Sequence, residues 1–503
     1  MIVGLEGQRL SADEKRLLAE HPFAGVILFD RNVSDARRLM ELTREVRSIF
    51  RELRGTVPLI AADHEGGVIS VLARAIGVPP TQMAAARTGE RSLCERLFAE
   101  NARRMRAAGV NMLLGPVADV NSERLNPVIG TRSFGEDAGA VSSLVSAAVS
   151  AARREGVLTC IKHFPGHGAS SVDSHLALPV LGATLEELKE RDIPPFASGI
   201  KAGAETVMIG HIAPRGRTLP ASLDPDIIGG LLRDELAFDG VAMTDALEME
   251  GVKVAGLGDV CARALEAGND ILLFSKPVVA VVATLEAAGQ SPVWVDFVEK
   301  SSSGILQESR SRVERLLQTA AAKDREFELP KDPGVYQEIA TKSILVRRGA
   351  GQGSALDPAR GFKLAFYSEK GEFDRFPTMS FVARVLKTFV VVGEGGARVG
   401  APNGAAGYAL EPSDSAALVA SNLEGRLFSR SRELGPHADA AFLLNRRPLP
   451  KEVVRELCSG VPAVVVAGWP YSSDFLDAGS TSIVTYGVYD AAAEAVGNIL
   501  KGS

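Results

Sequence analysis

The stretch 162–179, KHFPGHGASSVDSHLALP, concentrates side chains that are suited to acid–base chemistry. It holds three of the seven histidines of the chain. A lone histidine is more often a structural group, but three in one short polar loop favour function. Asp173 lies two residues before His175, so its carboxylate could accept the Nδ1 proton and orient the ring. With an ordinary pKa of about 6.5, such a ring can donate and accept protons near neutral pH.

A metal site is the alternative interpretation of this stretch. His163 and His167 are four residues apart, which would place both on one face of a helix. Pro165 and Gly166 lie between them and disfavour a continuous helix. Acid–base chemistry is therefore preferred, and we predict no metal and no cofactor.

A second stretch, 241–251 (VAMTDALEMEG), ends a short apolar run with Asp245. A carboxylate at the end of a buried strand is a candidate nucleophile. The same residue could instead cap a helix beginning near Ala246. Asp245 alone does not separate the two, but the histidine loop favours the nucleophile. A double displacement needs both a nucleophile and a group that acts first as acid and then as base.

Both stretches belong to a rhythm of short apolar runs and helix-like segments, such as Leu185–Ala202, over roughly the first 320 residues. Short buried strands that alternate with helices predict a parallel sheet. Seven clear runs, with an eighth expected near Val293–Val298, favour a (β/α)₈ barrel over an open doubly wound sheet. The polar residues that follow these strands would then meet at the C-terminal rim, where barrel active sites form. The seven runs are Gly25–Phe29, Val57–Ala61, Val110–Leu114, Val157–Ile161, Thr206–Ile209, Val241–Met243 and Asp270–Phe274.

The remainder of the chain predicts a second, smaller domain. We expect a catalytic barrel over residues 1–325, a linker over 326–340, where proline and mixed charge accumulate, and an α/β sandwich over 341–503. The glycine-rich stretch 393–398 has Arg398 at the third glycine position of a dinucleotide fingerprint, so we interpret it as a plain loop. The expected strands are Lys363–Tyr367, Thr388–Val392, Ala440–Leu444, Ala463–Val466 and Ser482–Thr485.

Composition excludes several classes of partner. A net charge of −6 gives no reason to expect nucleic acid, and no uncharged apolar segment is long enough to span a membrane. The four cysteines are far apart with no CxxC pair, and the N-terminus lacks the pattern of a signal peptide. We therefore expect a reduced, cytoplasmic, soluble protein with a small-molecule substrate, and the sequence leaves the oligomeric state open.

The barrel half resembles the glycoside hydrolase family 3 β-N-acetylglucosaminidases that act in cell-wall recycling. The motif KHFPGHG…DSHLALP is specific for that branch, and GVILFDRN, DHEGG, VIGTRSFG and TDALEMEG follow the expected order. The resemblance is strong over about residues 1–320 and looser beyond, where the layout is similar to two-domain members with an α/β sandwich. It implies retaining removal of terminal β-linked N-acetylglucosamine from muropeptides or chitin-type oligosaccharides, without a cofactor.

The resemblance also implies roles for individual residues. Asp245 matches the nucleophile that forms a covalent glycosyl-enzyme, and Asp173 and His175 match a dyad in which the histidine is general acid/base. The residues implied to bind the sugar or to lie at the rim beside it are Asp63, Arg132, Lys162, His163, Asp119 and His211.

One departure leaves the sugar preference open. The family usually reads DxEGGRVxRL, whereas this chain has Val68 and Val71 at the two arginine positions. Valine cannot replace the directional, charge-assisted hydrogen bonds of an arginine, and Arg74 lies three residues further on.

Three alternatives to hydrolysis of an N-acetylglucosaminide stay open. A phosphorylase is one, because a histidine base does not repel an incoming phosphate as a carboxylate would. A β-glucosidase that takes Glu394 or Glu411 from the second domain as its acid is another. The third is a sugar-binding protein without catalysis. Retention of Asp245, Asp173 and His175 favours the hydrolase.

Overall fold

The computed structural model describes residues 1–170, 178–252, 256–287, 304–324, 334–347, 364–367, 440–443, 463–467, 481–487 and 489–500. Eight parallel strands close into a barrel, which confirms the predicted (β/α)₈ fold. A short antiparallel hairpin, β4 (His64–Gly66) and β5 (Ile69–Ser70), follows the third barrel strand. The barrel strands are β1 (Ile2–Gly4), β2 (Gly25–Leu28), β3 (Leu59–Ala62), β6 (Met112–Leu113), β7 (Leu158–Phe164), β8 (Thr206–Ile209), β9 (Val241–Ala246) and β10 (Ile271–Pro277).

The eighth strand of the barrel is the N-terminal segment β1, which pairs with β2 on one side and β10 on the other. The prediction of an eighth strand near Val293–Val298 was therefore wrong, since the barrel closes without those residues, which lie outside the described ones. β1 is only three residues long, too short for a hydrophobic period to mark it as a strand.

Helices alternate with the strands as predicted, with one difference. The expected helix Leu185–Ala202 is two helices that meet at Asp192. Pro194 and Pro195 lack the N–H groups that would continue the first helix, and a proline is tolerated in the first turn of a new one. The barrel-side helices are α1 (Ala12–Glu20), α2 (Ala36–Arg54), α3 (Ala73–Ile76), α4 (Gln82–Arg87), α5 (Arg91–Ala107), α6 (Ala138–Arg154), α7 (Leu185–Arg191), α8 (Ile193–Lys201), a π-helix (Asp226–Glu235), α9 (Leu257–Glu266), α10 (Val278–Ala287) and α11 (Gly304–Ala322).

The barrel interior is a packed apolar core that includes Leu59, Met112 and Met243. Leu316 and Ala320 of α11 join this core. Arg312 of the same helix pairs with Asp270 at the start of β10, so α11 covers the N-terminal end of the barrel. The C-terminal rim is the end where polar side chains collect, as in other barrels of this kind.

The second unit is a five-stranded sheet in the order β11-β15-β14-β13-β12, parallel except for β11. Helix α12 (Gly334–Ser343) packs against α13 (Asp490–Leu500) and against α4 and α5 of the barrel. Four predicted strands are present, whereas 388–392 lies outside the described residues. α12 begins inside the predicted linker, and the domain boundary stays a prediction. The strands are β11 (Leu345–Arg347), β12 (Leu364–Tyr367), β13 (Ala440–Leu443), β14 (Ala463–Val466) and β15 (Thr481–Val484).

Among the helices of the described residues, none combines the length and the apolar character that crossing a membrane requires.

Candidate active site

Side chains from the C-terminal ends of several strands gather at the barrel rim. Asp63 directly follows β3, Lys162 and His163 lie within β7, and His211 lies two residues beyond β8. Asp245 is the next-to-last residue of β9 and is partly exposed. Parallel barrel strands bring these sequence-distant positions to one end of the molecule.

A buried ion network centres on Glu65 of the β4–β5 hairpin. Arg132 donates to both carboxylate oxygens of Glu65, from Nε at 2.7 Å and from Nη2 at 2.8 Å. Lys162 Nζ lies 2.6 Å from Glu65 Oε1 and 2.5 Å from Asp63 Oδ1. The Lys162 and Glu65 side chains are almost wholly buried, whereas Asp63 retains 25 % exposure. A bidentate pair of this kind fixes orientation as well as charge.

The network keeps Glu65 and Lys162 ionised. Burial alone would raise the pKa of Glu65, but Arg132 and Lys162 outweigh it and lower that pKa to about 2. Burial likewise favours the neutral form of Lys162, but Asp63 and Glu65 raise its pKa overall. Lys162 therefore presents a fixed ammonium group beside Asp63. Of the Asp63, Glu65 and Lys162 side chains, that of Asp63 is the most exposed.

Glu65→Gln is expected to lower the free energy of unfolding by about 3 kcal/mol at pH 7, because two buried cations lose their shared partner. Urea unfolding followed by circular dichroism measures this. Because the folded-state pKa is depressed, the stabilisation by Glu65 is complete above about pH 4.5 and is lost as pH falls toward 2. The difference between wild type and variant should shrink over that window.

The matched control is Glu41→Gln, which removes an exposed carboxylate that pairs with Arg37 and Arg38. Exposed pairs contribute little to stability, so we expect the free energy of unfolding of Glu41→Gln to stay close to that of the wild type. Equal losses for Glu41→Gln and Glu65→Gln would contradict a special role for the buried network.

Asp119 organises two histidines, His163 near the end of β7 and His167 just after it. Its Oδ2 lies 2.7 Å from His163 Nδ1, and its Oδ1 accepts the His167 backbone N–H at 2.7 Å. Asp119 is fully buried, and the His163 and His167 rings meet edge to face. With Nδ1–H donating to Asp119, His163 Nε2 is directed toward Arg132 Nη2 at 3.4 Å. Asp119 therefore fixes the orientation of His163 beside the ion network.

His211 supports the backbone at Asp245. Its Nε2 lies 3.1 Å from the Ala246 carbonyl and its Nδ1 lies 2.8 Å from Ser222 Oγ. The carbonyl can only accept, so Nε2 carries the proton and Nδ1 accepts from the Ser222 hydroxyl. Burial lowers the pKa of His211, and the negative charge of Asp245 beside it opposes this effect.

Asp245 is held as a carboxylate. Its Oδ1 accepts the Ala246 N–H at 2.7 Å. Burial would raise its pKa, but the nearby His163 and His211, that N–H and Lys162 together lower it. An ionised carboxylate that is partly exposed at a strand end has the properties of a nucleophile or of an electrostatic stabiliser of positive charge.

The structure brings together seven of the nine predicted site residues, whereas Asp173 and His175 lie outside the described residues. No group of three histidine, cysteine or acidic side chains in the described ranges is placed to share a metal ion. The seven are Asp63, Asp119, Arg132, Lys162, His163, His211 and Asp245.

Sequence reasoning missed Glu65 and Ser222. Glu65 stood in the DHEGG motif, but nothing local distinguishes a carboxylate that pairs across the rim from one that faces solvent. Val68 and Val71 are half-buried against the core, and the Val71 N–H donates to the Asp63 carbonyl at 3.0 Å. Arg74 is exposed on α3.

An ionised carboxylate and a buried ion network on the C-terminal rim of a closed (β/α)₈ barrel define a barrel enzyme. Residues 2–298, more than half of the chain, match the family described as glycosyl hydrolase family 3 N terminal domain. The chain belongs to glycoside hydrolase family 3, and it is therefore a glycoside hydrolase.

Relatives of known structure or curated sequence agree with this assignment. A β-hexosaminidase of Methylococcus capsulatus is 37% identical over 290 residues, which cover 56% of this chain and 84% of that protein. A family 3 β-N-acetylglucosaminidase from Paenibacillus superposes with a TM-score of 0.80 at 27% identity, covering 100% of this chain and 95% of its own. NagZ of Neisseria gonorrhoeae, in complex with N-trifluoroacetyl-D-glucosamine, covers 64% of this chain and 95% of its own, with a TM-score of 0.54 and 28% identity.

Proposed function

We propose that this protein is a retaining exo-β-N-acetylglucosaminidase that removes terminal β-linked N-acetylglucosamine from muropeptides or chitin-type oligosaccharides. The observation that carries the proposal is Asp245, ionised and partly exposed beside a buried network of polar groups at the rim. The printed activities of the relatives, β-hexosaminidase and β-N-acetylglucosaminidase, support the choice of sugar. A cytoplasmic place of action stays a prediction from the sequence.

The sugar would bind through Asp63, Lys162, Arg132 and His163. The contacts among these side chains fix their hydrogen-bond donors and acceptors before substrate binds. Binding therefore costs little additional side-chain entropy. Hydroxyl groups of a neutral sugar match such a set, because each can both donate and accept.

The first chemical step would join the Asp245 carboxylate to the anomeric carbon. The bond to the leaving oxygen breaks as His175 donates its proton to that oxygen, and a covalent glycosyl-enzyme results. Asp173 would hold the His175 ring in the orientation that this transfer needs. In the second step His175 takes a proton from water, which attacks the same carbon and releases Asp245 with overall retention.

The charge of the rim favours hydrolysis over phosphorolysis. Apart from the histidine rings, two cations face four carboxylates there, which leaves an excess of two negative charges. This excess stabilises the positive charge that develops on the sugar in the transition state. When the second step begins, Asp245 is esterified, and the one negative charge of the excess that remains repels an incoming phosphate. The groups are Lys162 and Arg132 against Asp63, Glu65, Asp119 and Asp245.

Release of p-nitrophenol from its β-N-acetylglucosaminide and its β-glucoside, each with and without phosphate, tests the proposal. We expect turnover of the N-acetylated substrate, with kcat/KM at least about tenfold above the glucoside and unchanged by phosphate. Preference for the glucoside would overturn the choice of sugar. A sugar 1-phosphate product would replace hydrolysis by phosphorolysis, and failure to turn over either substrate would favour a binding role.

A further inference from the structure

The segment Pro79–Gln82 contacts the β4–β5 hairpin, which carries Glu65. The Gly67 N–H donates to the Pro79 carbonyl at 2.9 Å. Gly66 has a φ of 115°, and a Cβ placed on it would lie 2.2 Å from the Pro80 oxygen. These contacts fix the chain directly after Glu65, the residue that holds Arg132 and Lys162.

The same segment also holds Val117, which lies beside Lys162. Gln82 Nε2 donates to the Val117 carbonyl at 2.8 Å, and its Oε1 accepts the Val117 N–H at 2.8 Å. Val117 forms a parallel bridge with Lys162, and the Ala118 N–H donates to the Lys162 carbonyl at 2.7 Å. Asp119, which orients His163, follows immediately. This four-residue segment thus contacts the two glycines that follow Glu65 and the residue that bridges to Lys162.

On its other side this segment is held by the second unit, at the turn after β15. Thr81 Oγ1 donates to the Tyr486 carbonyl at 2.6 Å, and the bond is buried. A Cβ placed on Gly487 would lie 2.4 Å from Thr81 Cγ2, so the turn and the Pro79–Gln82 segment are in direct contact. The Arg87 guanidinium lies 5.0 Å above the Tyr486 ring, within the range of a cation–π contact.

The Tyr486–Gly487 turn has an uncommon backbone. Tyr486 has a φ of 55°, the left-handed region that residues with side chains seldom adopt, and Gly487 has a φ of 152°. Thr485 Oγ1 donates to the Gly487 carbonyl at 2.8 Å and closes the turn. A conformation of this kind persists where surrounding contacts determine it, and such positions concentrate at functional sites.

We propose that the Tyr486–Gly487 turn is a positioning element for the sugar-binding site and acts through Thr81 and Gln82. The proposal rests on the proposed function and gives the second unit a part in it. The turn touches no reacting atom. It fixes Pro79–Gln82, which in turn fixes Glu65 and the chain beside Lys162. A shift of these groups by a fraction of an ångström would misplace the sugar, and misplacement of that order lowers rates strongly.

The test compares Thr81→Val and Gly487→Ala with Thr81→Ser. Thr81→Val keeps the shape of the side chain but removes the hydroxyl, whereas Thr81→Ser keeps the hydroxyl. Gly487→Ala introduces a methyl group that would clash with Thr81. Lys342→Ala is the matched control, because Lys342 pairs with Glu90 across the same contact without touching Pro79–Gln82. Each variant is assayed for kcat/KM on the p-nitrophenyl N-acetylglucosaminide, for N-acetylglucosamine affinity by calorimetry, and for its thermal midpoint.

We expect Thr81→Val and Gly487→Ala to lower kcat/KM and sugar affinity about tenfold, with Thr81→Ser and Lys342→Ala within about twofold of wild type. Lower thermal midpoints with unchanged kcat/KM and affinity would overturn the proposal, since the contact would then only stabilise the fold. An equal loss in Lys342→Ala, or no recovery in Thr81→Ser, would also overturn it. A wild-type chain that lacks turnover contradicts the proposed function instead, and sugar affinity then decides the positioning role. A wild type that neither turns over nor binds overturns both.

Discussion

Asp245→Ala is expected to lower kcat on the p-nitrophenyl N-acetylglucosaminide on the order of 10⁴-fold. Without the carboxylate no covalent intermediate forms, and the positive charge of the transition state loses its nearest counter-charge. Steady-state kinetics on purified variant measures this. The matched control is Asp259→Asn on α9, which changes an exposed carboxylate of the next helix and should leave kcat within about twofold.

Azide separates a lost nucleophile from a damaged fold. In Asp245→Ala the small anion can occupy the space of the deleted carboxylate and attack the anomeric carbon from that face. The product is then the α-glycosyl azide, which proton NMR identifies. If Asp245→Ala retains near wild-type kcat, Asp245 is not the nucleophile. If its kcat falls but azide neither restores turnover nor forms the α-azide, Asp245 acts mainly in structure.

His175→Ala is expected to reduce kcat/KM by about 10²- to 10⁴-fold on a disaccharide and only slightly on the p-nitrophenyl substrate. A sugar leaving group needs a proton, whereas p-nitrophenolate leaves without one. The second step has no base in this variant, so a burst of p-nitrophenol followed by slow turnover should appear in stopped-flow traces. Kinetics with both leaving groups measures the contrast.

The control for His175→Ala is His21→Ala, which removes a histidine just before β2, at the opposite end of the barrel from the rim. It should leave both substrates unaffected. Azide added to His175→Ala should give the β-glycosyl azide, because the anion attacks the intermediate from the face that water uses. Equal losses on the two leaving groups would remove His175 from the acid role.

The barrel could be predicted because its runs of buried residues are local signals. Strands such as Thr206–Ile209 are buried throughout and lie between helices with clear amphipathic character. The eighth strand was not predicted at its true position, because a segment of three residues is too short to show a hydrophobic period. The break at Asp192 was equally visible in Pro194 and Pro195, but the prediction treated the whole stretch as one helix.

Asp63, Lys162 and Asp245 could be predicted because residue type and strand ends coincide there, whereas Arg132 was implied by the family resemblance alone. Contacts between residues that are distant in the sequence produce no comparable local sequence pattern. Glu65 and Arg132 are 67 residues apart, and Thr81 and Tyr486 are 405 residues apart, so only the closed barrel and its docked second unit bring them together. The buried location of Glu65, which sets its low pKa, is likewise a property of the fold.

The central claim is that Asp245 forms a covalent bond to the sugar. The most direct measurement is intact-protein and peptide mass spectrometry after incubation with 5-fluoro-N-acetylglucosaminyl fluoride. Its ring fluorine slows both steps, while its good leaving group lets the intermediate accumulate. We predict a mass gain of one glycosyl residue on the peptide that contains Asp245, and none in Asp245→Ala. A label on another residue, or turnover with no labelled protein at any time, would contradict the claim.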